Sequence, residues 1–216
     1  VLGTLTYRDF LSGAAELVKT FIIDDSGDNY AKAVTILSEI HDATDHTSAI
    51  ASHHAELEGL IAAAAKVKAG VVERDEFEMG ERRKLNLGHT FAHAIEWEAH
   101  NREQSMGEVN AGVHGISHGE SVAMGMIMAA EASEYYYADD KSQHVAVQGI
   151  AKKLTEDFRR CGLPVECPYP IITLAEAMKK DKKSENGIVH FILIRAIGDV
   201  RIEDLPVDDV VSWISK

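Results

Sequence analysis

The sequence predicts a mainly α, multi-helical domain with one small β-hairpin near the C-terminus. Three observations carry that expectation. Apolar residues recur at helical spacing along most of the chain. The 216 residues hold only four prolines and 6% aromatic residues, few for a turn-rich β architecture. The period changes only near the end: VHFILIRAIGDVRIED, residues 189–204, is rich in β-branched residues around an Ile-Gly-Asp turn, as a hairpin requires. With 45% of residues hydrophobic and mostly aliphatic, the chain can fill a sizeable core.

Taken in order, residues 7–24 place Leu11, Ala14, Leu17, Val18, Phe21 and Ile22 on one helical face. DDSGD ends that helix, and a second is expected over 29–40. Residues 48–75 carry one long helical pattern through HHAELEGLIAAAAKVKAGVV, dense in good helix formers. DEFEMGERR reads as a charged connection, and Gly88 then precedes a helix bearing His89 and His93. Residues 100–117, polar with three glycines, read as an exposed loop. A helix opens at HGESVAMGM, with Glu120 in its first turn, where the macrodipole favours an acid. An amphipathic helix over 145–160, a short one over 173–180 and another over 207–215 complete the set. No GxGxxG stretch stands between a strand and a helix, so nothing marks a dinucleotide-binding unit.

The formal net charge of −13 argues against a general nucleic-acid binder, which needs a basic face to release counterions. It leaves room for an anionic small molecule, because a site answers to local charge. Cys161 and Cys167 are too close in sequence to staple distant parts, and they read as free thiols in a reducing cytoplasm. No apolar run approaches the roughly 18 residues of a membrane span, and no signal peptide is evident. A first residue of Val reads as a fragment or an excised domain.

His89 and His93 lie one turn apart on a single helical face. Two readings are open: both bind one metal, as in HExxH sites, or His93 faces the core or a neighbouring helix and ligates nothing. His118 sits at a loop-to-helix junction. With His89 and a carboxylate it would complete the His₂Glu set of a catalytic divalent metal, and Glu16 in GAAELVK is a candidate for that carboxylate. Lys19, Lys68, Arg82 and the pair Lys182-Lys183 form an accompanying basic set.

The segments GAAELVK, ERRKLNLGHTFAHAIEW, HGESVAMGM and DKK, in that order, closely resemble the 3-dehydroquinate synthase family. The resemblance covers nearly all of the chain but only the C-terminal, mainly helical half of that enzyme. It implies that residues 1–216 form a single C-terminal domain and that the N-terminal NAD-binding domain is absent from them. It implies the conversion of 3-deoxy-D-arabino-heptulosonate 7-phosphate to 3-dehydroquinate and phosphate, in the shikimate pathway of aromatic amino acid biosynthesis. NAD and a divalent metal, zinc or cobalt, are the implied cofactors, and a small anionic sugar phosphate is the implied substrate. Matched position by position, Glu16, His89 and His118 would be metal ligands. His93, Lys19 and Asn86 would serve catalysis. Lys68, Arg82, Asn86, His93 and Lys182 would bind substrate, Lys68 and Arg82 gripping its carboxylate.

Two departures from the family pattern stand out. Ala92 replaces the usual Gly of GHTFGHAIE, and residues 100–117 look like an insertion, expected to form a lid or an oligomer contact such as that of a homodimer. The resemblance also implies that these residues alone fold, bind metal weakly and turn over no substrate. Competing readings are the C-terminal domain of an iron-type polyol dehydrogenase, a related sugar-phosphate cyclase, and a non-catalytic helical interaction module. The cations around the metal disfavour the dehydrogenase, and the pairing of Lys68 with Arg82 disfavours the cyclase.

Overall fold

Helix α1, Tyr7–Ile23, buries Ala14, Ala15, Val18, Phe21 and Ile22, the face its spacing predicts. Thr6 caps it by accepting from the Asp9 N–H. In the computed structural model, residues 2–106, 115–139, 147–180 and 188–215 are described. Helix α2, Asn29–Asp42, packs against α1 and buries Val34, Leu37 and Ile40.

The single helix expected over 48–75 is two. Helix α3, His46–Ser52, is capped by the Asp45 carboxylate, and α4 runs over His54–Arg74. They meet at His53 (φ −94°, ψ 17°), whose N–H still donates to the Ala49 carbonyl. The Leu57 N–H in turn donates to the His53 carbonyl at 2.9 Å, so His53 stays bonded on both sides of the junction, and no Gly or Pro signals it. The charged connection that follows contains a 3₁₀ helix, Glu81–Asn86.

Helix α5, His89–Met106, runs past the expected start of a loop at residue 100. Its polar end is sustained by side-chain pairs one turn apart, Glu98 with Arg102 at 2.6 Å and His100 with Gln104 at 2.8 Å. The insertion read over 100–117 is thus helical to Met106, and residues 107–114 lie outside the described residues. Helix α6 spans His118–Tyr136, α7 Ile150–Arg160, α8 Ile171–Lys180 and α9 Val207–Ile214. The helix expected from 145 is thus described from Ile150, residues 140–146 lying outside the described residues.

Helix α6 is the axle of the fold. Every residue from Ser121 to Ala130 is buried, and the helix packs against α1, α5, α7 and α9. A helix apolar on all sides belongs inside. Two glycines set how close its neighbours come. A Cβ at Gly125 would stand 2.2 Å from the Gly88 carbonyl oxygen, and one at Gly119 would stand 2.3 Å from that of Ser12. Ala92 is fully buried at the same α5–α6 contact.

Strands β1, Ile188–Ala196, and β2, Asp199–Pro206, form the expected antiparallel hairpin, in the register Ile188↔Pro206 to Ile194↔Val200. The Ile194 N–H donates to Ser133 Oγ at 2.8 Å, and the Gly198 N–H to the Ile22 carbonyl at 2.9 Å. The hairpin is thereby fixed to α6 and to the end of α1. Gly198 sits at φ 83°, where glycine is favoured. Among the described residues no helix is long and apolar enough to cross a membrane. Both cysteines are free thiols, and burial pushes that of Cys161 up to about 12.

Candidate metal centre and adjoining cavity

Three elements converge where α1, α5 and α6 meet. Helix α1 contributes Glu16, the first residue of α5 is His89, and the first residue of α6 is His118. One ligand atom from each of the three lies within 4.8 Å of the others. Glu16 Oε1 is 3.9 Å from His89 Nε2 and 3.6 Å from His118 Nε2. Ligands held at about 2.1 Å by a tetrahedral zinc stand roughly 3.4 Å apart, so the spacing suits a cation between them.

Glu16 Oε1 is itself the test of that fit. It is buried and has no hydrogen-bond partner in the protein. A buried carboxylate oxygen without a partner is costly, and a cation between it and two imidazoles resolves that cost. The outer shell is also in place. His89 Nδ1 lies 3.1 Å from the Leu87 carbonyl, and His118 Nδ1 lies 2.8 Å from Glu96 Oε1. Each ring thus donates through Nδ1 and turns the Nε2 lone pair toward Glu16, the outer-shell pattern of metal-binding histidines. Burial, reinforced by the charge of Lys19, lowers the His89 pKa to about 4, which keeps the ring in its ligating neutral form.

Lys19 is 5% exposed and donates to Glu16 Oε2 at 2.8 Å. Burial lowers its pKa, Glu16 pulls it back, and the charge of Lys68 on α4 lowers it further. In Glu16 the upward push of burial is outweighed by Lys19 and then by the two histidines, so its carboxyl titrates below the ordinary value. Lys68 is exposed, within electrostatic reach of Lys19.

A cavity of about 350 Å³ opens beside His89 and runs under the hairpin. His93 lines it, its ring centred 5.6 Å from that of His89 and edge-on to it. His93 lies outside the converging triad and beside it, exposed on the cavity wall and not turned to the core. Asn86 lines the same cavity and donates through Nδ2 to Glu78 Oε1 at 2.8 Å.

Arg82 does not line the cavity; its Nη1 donates to the Glu76 carbonyl at 2.7 Å. Lys182 and Lys183 lie outside the described residues. Sequence reasoning missed Glu78, Arg83 and His190, all of which line the cavity. A signal for Glu78 lies in Asp75, whose carboxylate accepts from the Met79, Gly80 and Arg82 N–H groups at 2.8–2.9 Å. An Asp that gathers N–H groups folds the next residues into a tight turn, and Glu78 takes the left-handed φ of 56° within it.

A family model described as 3-dehydroquinate synthase C-terminal matches residues 13–184. The chain belongs to that family. The resemblance carried by GAAELVK, GHTFAHAIE and HGESVAMGM is borne out at that level. The 3-dehydroquinate synthase of Geobacillus kaustophilus is 32% identical over 219 residues, covering 100% of this chain and 51% of its own length. That of Pyrococcus abyssi is 34% identical over 205 residues, 95% of this chain and 51% of its own. The chain therefore spans about half the length of the curated relatives it matches. Two solved structures share its fold. ValA, a 2-epi-5-epi-valiolone synthase from Streptomyces hygroscopicus subsp. jinggangensis with NAD⁺ and Zn²⁺ bound, aligns with a TM-score of 0.63 and 19% identity. A 2-deoxy-scyllo-inosose synthase complexed with carbaglucose-6-phosphate, NAD⁺ and Co²⁺ aligns with a TM-score of 0.64 and 19% identity. Both alignments cover 99% of this domain and 52% of the other chain.

Proposed function

We propose that this domain is the metal- and substrate-binding half of an enzyme converting 3-deoxy-D-arabino-heptulosonate 7-phosphate to 3-dehydroquinate and phosphate, in the cytoplasm. The observation that carries the reading is the partnerless Glu16 Oε1 facing the Nε2 atoms of His89 and His118. Those three residues would hold a zinc or cobalt ion, which supplies Lewis acidity to a substrate alcohol and, after oxidation, to the ketone. NAD, expected to be held by a separate domain, would accept and return the hydride.

The protein's own work is positioning and charge. His93 stands beside the triad, close enough to share a substrate with it, and would hold a hydroxyl or a phosphate oxygen. Asn86 would trade its hydrogen bond to Glu78 for one to a substrate oxygen. Lys19, already stripped of water, would stabilise negative charge as phosphate leaves, because a charge in a dry site acts strongly. Lys68, with Arg82 turned inward, would bind the carboxylate, and Lys182 would meet the phosphate.

The test has two arms. Purified chain should bind about one equivalent of zinc or cobalt, and His89→Ala and His118→Ala should lose it; equal metal in all three would favour a non-catalytic helical module. The metal-loaded chain should bind 3-deoxy-D-arabino-heptulosonate 7-phosphate more tightly than carbaglucose-6-phosphate, which has no carboxylate. The reverse preference would favour the sugar-phosphate cyclase reading. With NAD added, the chain alone should release no phosphate, and release would overturn its dependence on a second half.

A further inference from the structure

The cavity has a cation of its own that no motif announced. Arg83 lines it, whereas Arg82 next to it is turned onto the Glu76 carbonyl. Arg83 Nη1 lies 3.0 Å from His190 Nε2, and Arg83 Nε donates to the Glu78 carbonyl at 3.2 Å. An arginine has donors only and keeps its charge, so His190 Nε2 must be the acceptor. The His190 proton therefore sits on Nδ1, and that nitrogen is hydrogen-bonded to the Asp204 carboxylate. Asp204 faces His190 directly across the hairpin, so the register of β1 and β2 sets the chain Asp204–His190–Arg83.

The opposite anchor is equally built. The Glu78 carbonyl is aimed by the turn that Asp75 organises, at the cost of a left-handed backbone for a residue that is not glycine. Two contacts from two separate elements thus hold the guanidinium plane, and neither uses its Nη2 amino group. The Glu78 carboxylate shares the cavity wall but is bonded to Asn86 Nδ2.

We propose that Arg83 is a further anion-binding residue of the cavity, contacting the carboxylate or phosphate of the substrate, and that His190, held by Asp204, is its positioning residue. This rests on the reading of the cavity as the substrate site. A guanidinium already fixed in plane loses little freedom on binding an oxyanion, which suits it to discriminate acids from neutral sugars.

The test is calorimetric titration of the zinc-loaded chain, without NAD, using 3-deoxy-D-arabino-heptulosonate 7-phosphate and its dephosphorylated form. Arg83→Gln should weaken the phosphorylated ligand about tenfold or more. A matching loss for the dephosphorylated ligand assigns the contact to the carboxylate, and a loss confined to the phosphorylated ligand assigns it to the phosphate. His190→Leu should weaken binding several-fold, and His190→Gln, which keeps an acceptor for Arg83, should recover most of it. Zinc content and melting temperature, read on every variant, separate this from loss of the metal site or of the fold. Unchanged affinity in folded, zinc-bound Arg83→Gln overturns the proposal alone. A wild-type chain that takes up zinc but binds neither ligand overturns it together with the reading of the cavity.

Discussion

Gly119 lies directly against Ser12: the Gly119 N–H donates to Ser12 Oγ at 3.0 Å, and a Cβ on Gly119 would stand 2.3 Å from the Ser12 carbonyl oxygen. Ser12 is one turn ahead of Glu16 on α1, and Gly119 follows His118 on α6. The contact therefore sets the distance between two of the three proposed metal ligands. Gly119→Ala should force the helices apart, cost about 1–3 kcal/mol as overpacking does, and weaken zinc binding at the same time. Gly13→Ala, also in α1 but with nothing within 4 Å of its added Cβ, should instead gain about 0.5–1 kcal/mol from helix propensity and leave zinc binding alone. Thermal melts and zinc titrations of the two variants check the contrast. Equal behaviour would mean that the close approach does not fix the site.

Glu120 closes the N-terminus of α6 from three directions. Its carboxylate accepts from the Ser117 N–H at 2.7 Å and from Arg8 Nη2 at 2.7 Å, and the Ser117 hydroxyl accepts from its N–H in return. This is a capping box with an added ion pair. Burial alone would raise the Glu120 pKa, but the bonds to Arg8 and Ser117 outweigh it and lower it below the ordinary 4.5. A lowered folded pKa adds stability that is present above the unfolded value and lost as pH falls through the folded one. Glu120→Gln should therefore cost about 1 kcal/mol at neutral pH, with the gap from wild type closing below about pH 4.5. Urea unfolding at pH 7 and pH 3.5 reads it, and a gap that persists in acid would contradict the linkage.

Glu96 is the outer partner of His118, at 2.8 Å through Nδ1. The remaining ring nitrogen points to Glu16. Removing such a carboxylate lets the ring rotate and lowers its basicity, and it typically costs 10–100-fold in metal affinity. Glu96→Gln, which keeps size and a hydrogen-bonding oxygen, should lie at the lower end, and Glu96→Ala at the upper end. Competition against a chromophoric chelator gives both numbers. Affinities equal to wild type would show that His118 is oriented by its backbone alone.

The sequence made much of this legible because the elements obey local rules. The α1 periodicity, the Ile-Gly-Asp turn at Gly198 and Glu120 at a helix start are all written within a few residues. The break at His53 is not, since His53 itself stays hydrogen-bonded to both helices and no Gly or Pro marks it. The polar run from His100 reads as a loop because the side-chain pairs that keep it helical contribute only a few tenths of a kcal/mol each. Residues of the site separate in the same way. Glu16, His89 and His118 sit in distinctive motifs, whereas Arg83 and His190 meet across 107 positions of chain, a contact no local pattern encodes.

Glu16 carries two tasks that mutagenesis can separate. Its Oε2 accepts from the buried Lys19, and its Oε1 faces the two histidines. Glu16→Gln removes the charge that compensates the Lys19 ammonium, which is only 5% exposed. Breaking a buried pair by deleting one partner costs about 3–5 kcal/mol, and the partial exposure of Glu16 brings the expectation down to roughly 1–3 kcal/mol. Replacing both partners, Glu16→Gln with Lys19→Met, should recover most of that loss, since no unpaired charge remains. Zinc binding should not recover, because a neutral amide is a poor substitute for the carboxylate ligand. Wild type with zinc at about 100 times its dissociation constant should gain about 2.7 kcal/mol, a rise in Tm of roughly 5–11 °C that a chelator reverses. Neither Glu16 variant should show that rise. A double variant that regains both stability and the zinc-dependent shift would mean that Glu16 serves Lys19 and not the metal.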